Sequence, residues 1–187
     1  VSGYGDRLKA IKASIEKQDP IDDDGWLKMG LLSVIGQERK HYLNDYSKGY
    51  VDPSSSKDLL SVADDILDSV KASGVQGYVT ASEASLEFDW RFRIAMQLHR
   101  RLGLVGPLRN QLSNRWTRLR TTLAALTRIK KVGINDIQSL IDDKVSLLLV
   151  EFIDNRILRT EAALNALRAQ YPGYCLLYTS PSPRDLS

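Results

Sequence analysis

The chain is poor in the residues that most often carry chemistry. It has a single cysteine, two histidines and three phenylalanines in 187 residues. One cysteine, Cys175, excludes an internal disulfide and a thiolate metal site, and is compatible with a cytosolic setting. His41 and His99 fall on different expected helices with no HxxxH or HExxH spacing, so no metal centre is expected. No apolar run approaches the ~18 residues a membrane span needs. The longest, Val145 to Val150, meets Glu151 and then Asp154. Glycine-rich phosphate binding is excluded as well. The one candidate, Gly103 to Pro107, lacks both a following lysine and a preceding strand. There is no nucleophile elbow. Asp64, Asp65 and Asp68, and likewise Asp142 and Asp143, have no histidine or second carboxylate helix to work with. They read as solvated helix charges, so neither catalytic residues nor a cofactor is expected, and the chain reads as a non-enzyme.

What is present is charge, unevenly placed. The net charge of +3 conceals an acidic stretch followed by a basic one. Asp52 to Asp89 carries Asp52, Asp58, Asp64, Asp65, Asp68, Glu83, Glu87 and Asp89 against Lys57 and Lys71. Trp90 to Lys131 contains no acid. Its arginines Arg91, Arg101, Arg109, Arg115, Arg118 and Arg120, with Trp90 and Trp116 among them, form the candidate surface for an anionic partner. Acidic and basic segments in sequence either pack on each other or leave a basic face for lipid headgroups, with nucleic acid the weaker alternative.

The apolar spacing is helical throughout, which predicts an all-α fold, a bundle of about six helices with one long C-terminal helix. The first runs from about Asp6 to Lys17 and stops before Asp19-Pro20. Asp22 to Asp24 suit the start of a second, which ends at Gly49, with Gly30 and Gly36 marking a break or a close approach. Asp52 caps a third, with Pro53 at its first position and Gly74 at its end. Val75 to Ala81 reads as a loop with some strand character. A fourth helix starts near Ser82 and stops at Gly103. Gly106-Pro107 opens a fifth, which Gly133 closes. Asn135 caps the last, reaching about Gln170. Its seam drifts from Ile137, Ile141, Val145, Leu148 and Phe152 to Leu149, Ile153, Leu164, Leu167 and Tyr171. Such drift predicts two packing partners, one of them a second subunit or a further domain.

From Cys175 to Asp185 the residues read back into codons as an in-frame translation of a transposase-type sequencing adapter. Residues 175–187 are therefore expected to be extraneous and disordered. Residues 1–174 are expected to be a helical cytosolic domain cut from a longer protein.

The cadence Tyr42-Leu-Asn-Asp-Tyr-Ser-Lys-Gly49-Tyr-Val51, Leu59-Leu60, Ala63-Asp-Asp-Ile-Leu-Asp68 resembles the cytoplasmic region that follows the membrane domain in monovalent cation:proton antiporters. The likeness is to NhaP-type, plant plasma-membrane and sperm-type members. The segment from Asn155 to Gly173 also resembles a helix of that region. Asp64-Asp-Ile-Leu-Asp68 departs from the family's usual Asp-x-Ala-Leu-Asp. The resemblance implies a regulatory and dimerisation region on the cytoplasmic face of the plasma membrane, part of a sodium:proton antiporter, a homodimer through its parent protein and near anionic lipid. In longer relatives a cyclic-nucleotide-binding domain sometimes follows. The family's ion-binding carboxylates lie in membrane helices and have no counterpart in this chain. The alternative reading is a helical interaction or scaffold protein whose basic face binds an acidic partner, anionic lipid or nucleic acid.

Overall fold

The computed structural model describes residues 22–133 and 143–172. They form α-helices and one π-helical turn, with no strand among the described residues. The expected helix over Asp6 to Lys17, the Asn135 cap and the adapter-like tail lie outside them. Five α-helices are described, against about six expected.

Helix α1 (Asp23–Ser47) starts where the Asp22 carboxylate accepts from the Gly25 amide, with Asp23 and Asp24 in its positive first turn. It runs unbroken through both glycines. At Gly30 the reason is close approach, since a Cβ there would lie 3.1 Å from Leu149 Cδ2. Gly49, at φ +73°, ends the helix, and the Tyr50 amide bonds back to the Asp45 carbonyl.

Helix α2 (Pro53–Ala84) opens as expected, with Asp52 accepting from the Ser54 and Ser55 amides at 3.0 Å. Gly74 ends its first arm, as expected. Ser73 and Gly74 (φ 57°, ψ −135°) leave the helical region, and the chain turns sharply into a second helical arm. The expected loop at Val75 to Ala81 is therefore helix. The physical reason is that Tyr78 and Gly77 on this arm are buried, so tertiary packing restarts the helix after the glycine. The expected start at Ser82 is likewise corrected. Ser82 belongs to the end of α2, and α3 (Trp90–Leu102) begins where Asp89 accepts from the Phe92 amide at 2.8 Å. Gly103, at φ +66°, stops α3, and α4 (Val105–Arg128) continues into a π turn over Ile129–Gly133.

The last helix, α5 (Asp143–Gln170), spans about 42 Å at 1.5 Å per residue. Ile137 and Ile141 of the expected seam lie outside the described residues, and over the rest the buried stripe corrects the drift. Val145, Leu149, Ile153, Arg156, Thr160, Leu164 and Leu167 follow one another at steps of four and three, a straight helical line. The drift is only apparent, because Arg156 and Thr160 occupy the middle of the stripe and Leu148 is 36% exposed. Among the described residues α5 packs against two clusters of the chain itself. The first half of α5 joins a core with Leu31, Ile35, Ile66, Val70 and Ile129, and the second half joins Phe92, Leu108, Leu112 and Trp116. Each fully buried leucine or isoleucine contributes roughly 1.5–3 kcal/mol relative to exposure.

Candidate functional site

The six arginines of the candidate surface do not form one face. Arg115 and Arg118 are partly buried where α4 meets the end of α2, while Arg91, Arg101, Arg109 and Arg120 are exposed. The Arg115 guanidinium donates to the Glu87 carbonyl at 2.8 Å and to the Leu86 carbonyl, and sits 4.1 Å over the Phe88 ring. It thus caps the turn that follows α2. Burial, with Arg118 close by, pulls its pKa down to about 10, so the group is still charged at neutral pH. Arg118 lies 3.9 Å from Asp58. In the crevice where Arg91, Arg115 and Arg118 converge, Asp58, Glu87 and Asp89 line the same walls. The acidic and basic segments therefore meet here and compensate each other.

A second crevice, between Arg115, Arg118, Arg156, Thr122 and Thr160, has a volume of about 20 Å³. That admits about one water and excludes a phosphate group. Arg120 stands apart, beside Trp116, Glu161 and Arg168. A concavity of about 780 Å³ opens inside the bend of α2, and half of its lining residues are serine, alanine, glycine or threonine. It brings Asp65, Glu87 and Asp89 near Arg93 and Arg118, with no histidine, cysteine or lysine among its lining residues. Among the described residues no group of histidines, cysteines and carboxylates is arranged to hold a metal. Asp64 pairs with Arg39 at 3.0 Å and Asp68 with Lys71 at 2.9 Å, both on the surface.

Loss of the Arg115 cap is expected to cost about 2 kcal/mol, because two carbonyls lose a charged donor and Phe88 loses its cover. Arg115→Ala and Arg115→Lys should both lower the urea midpoint, since a lysine cannot donate in a planar fork to two carbonyls. A lysine variant as stable as the parent would reduce the contact to simple charge.

The chain's most demanding polar cluster lies elsewhere and was missed by sequence reasoning. Glu38 on α1 and Arg156 on α5 are fully or almost fully buried, at 0% and 4% exposure. They meet as a two-pronged pair, Nη1 to Oε2 at 2.6 Å and Nη2 to Oε1 at 2.8 Å. The Tyr42 hydroxyl donates to Glu38 Oε1 and lies 3.0 Å from Thr122 Oγ1 on α4. The Tyr78 ring, on the second arm of α2, stands 5.8 Å from the guanidinium carbon. Four helices thus converge on one ion pair. Burial disfavours the charged Arg156 guanidinium, yet the Glu38 carboxylate against it outweighs that cost and its pKa is raised. The detectable signal was positional. Glu38 lies seven residues after Leu31 and four before Tyr42, in line with α1's buried stripe.

Burial pushes the Tyr42 hydroxyl well above 10, with the Glu38 carboxylate adding to it, and burial raises Tyr78 also. A tyrosine whose pKa is higher folded than unfolded adds stability that is complete below about 10 and is lost as pH rises beyond it. Urea midpoints are therefore expected to fall above pH ~10, by as much as about 1.4 kcal/mol per pH unit for each tyrosine. Tyr42→Phe should flatten that fall. An unchanged alkaline slope in the variant would show that Tyr42 ionises freely in the folded state.

In comparisons with family models, with curated proteins and with solved structures, nothing matches this chain.

Proposed function

We propose that this chain is the cytosolic regulatory and dimerisation region of a sodium:proton antiporter, with no chemistry of its own. The observation that supports the reading is where the family-like residues fall. Of the two stretches that carry the resemblance, the first, Tyr42 to Asp68, touches the buried ion pair through the Tyr42 hydroxyl, which donates to Glu38, and the second, Asn155 to Gly173, contains Arg156. That pair spans 118 residues of sequence. In the first stretch, Gly49 turns the chain, Val51 is buried, Asp52 caps α2, and Ala63 and Ile66 are wholly buried beneath α1. The motif is thus a helix-joint signature, held to α5 through Glu38.

A helical bundle of this kind regulates a transporter only through contacts or stability that differ between the transporter's states. The chain has no helix, among the described residues, long and apolar enough to cross a membrane. Transport itself would belong to spans encoded outside it. Long-read sequencing of the uninterrupted gene tests the proposal directly. The expected result is about ten or more hydrophobic spans upstream. An initiator Met shortly before Val1, with no spans, overturns it and leaves the helical interaction protein as the reading to pursue.

A further inference from the structure

Helix α3 has two faces, and only one has a partner. Phe92 and Ala95 are buried toward α4 and the end of α5. At about 100° per residue, Trp90, Ile94, Gln97 and Arg101 fall on the opposite line. All four are exposed, Trp90 by 61% and Ile94 by 46%. Arg93 and Arg100 flank the line on one side, and both are exposed. Around Gly103 the elbow into α4 adds Leu102, Leu104 and Val105, again exposed. The nearest preceding carboxylate, Asp89, faces the helix as its cap, and no acid follows until well beyond α4. Arg93, Arg100 and Arg101 make no ion pair among the described residues, whereas Arg118 and Arg128 do.

We propose that this face of α3, with its elbow, docks on a membrane surface bearing anionic phospholipid. Trp90 and Ile94 would sit at headgroup level while Arg93, Arg100 and Arg101 meet the phosphates. None of the crevices described above is lined by Trp90, Ile94 or Arg101, so none of them serves this line as a groove for a peptide. A lipid interface needs no such groove: it accepts apolar side chains from one line of a helix and rewards the arginines beside them. A nucleic acid would engage the arginines and leave Ile94, Leu102 and Leu104 in water. The inference does not depend on the antiporter reading, because a peripheral protein would use the same face.

Co-sedimentation of the full chain with phosphatidylcholine vesicles, with and without phosphatidylserine, tests it. Binding is expected only with phosphatidylserine and should weaken as salt rises. Arg101→Gln should lower partitioning about fivefold, the effect of one basic residue near an anionic surface. The pair Trp90→Ser with Ile94→Ser should lower it about tenfold or more. Brominated lipid should quench the parent's fluorescence and leave the Trp90→Ser chain unaffected. Arg120→Gln, next to Glu161 on the α4–α5 side, should bind as the parent does. Melting curves of all variants should match the parent, since the positions are exposed. Three results would each overturn the proposal. The first is a chain that stays in the supernatant with phosphatidylserine present. The second is a Trp90/Ile94 double variant that binds like the parent. The third is a chain that dimerises through Trp90 and ignores vesicles.

Discussion

Arg156→Leu is expected to destabilise the protein by about 3–5 kcal/mol and to lower Tm by roughly 10 °C. The size follows from what remains. Glu38 has 0% exposure, and without the guanidinium its carboxylate keeps one hydrogen bond, from Tyr42. A carboxylate stripped of its counter-charge inside a core costs far more than the pair contributed. The double variant Glu38→Leu/Arg156→Leu therefore separates two ideas. If burial of charge is the burden, replacing both partners by apolar residues should recover most of the loss, because Leu31, Ile35 and Ile153 already line α1 and α5 and Tyr42 keeps Thr122. Urea denaturation of the parent, both single variants and the double variant gives the coupling energy directly. A double variant as unstable as Arg156→Leu would mean that the pair is needed for its geometry, positioning Tyr42 and Tyr78 in a way leucines cannot. Where the double variant is stable yet its helices lose fixed packing, the pair's contribution is specificity rather than stability.

How far this arrangement was legible depends on how local its cause is. Asp52-Pro53 and Gly103 act through their own backbone, and both lie where their chemistry placed them. Gly74 shows the limit. Gly74 ends a helical arm as Gly103 does, but nothing local announces that a second arm restarts at once, where the chain finds buried positions for Tyr78 and Ser82. A start signal at Asp89 was hidden inside a run of apolar and aromatic residues, so the fourth helix was begun at Ser82. Helical class and most of the core followed from spacing, since Ile66 and Val70, and Leu112, Trp116 and Leu119, repeat at steps of four and three residues. The Glu38–Arg156 pair had a fainter signature. Each residue sits among other charges, Arg39 and Lys40 beside one, Asp154 and Arg159 near the other, and only the place of Glu38 on the Leu31–Tyr42 stripe marks which charge turns inward. The same ambiguity places Arg115 and Arg118 among the six anion-binding candidates. Their spacing was right for an exposed face, but the turn after α2 and Asp58 came to meet them.

Gly77→Ala should prove nearly as damaging as loss of Arg156, for a reason that involves no charge. A Cβ at Gly77 would lie 2.0 Å from the Ser69 carbonyl oxygen and 2.5 Å from its carbon. Both atoms are backbone in the preceding arm of α2, so no side chain can swing aside, and the bend at Ser73 and Gly74 must open. Opening it withdraws Tyr78, whose ring packs edge-on to Phe152 at 6.1 Å and faces Arg156. A cost of about 3 kcal/mol or more is expected, at the upper end for overpacking because the obstacle is main chain. Gly74→Ala should cost less, about 1–3 kcal/mol, since its penalty is the backbone conformation at φ +57° and not a collision. Gly36→Ala supplies the control. It lies within α1 with nothing within 4 Å of an added Cβ, so it should stabilise by about 0.4–1 kcal/mol. Urea midpoints in the order Gly36→Ala, parent, Gly74→Ala, Gly77→Ala would establish that the two arms of α2 are locked by a backbone contact. Parental stability in Gly77→Ala would mean that the arms stand further apart, and that the groove in the bend of α2 is held open by something other than this glycine.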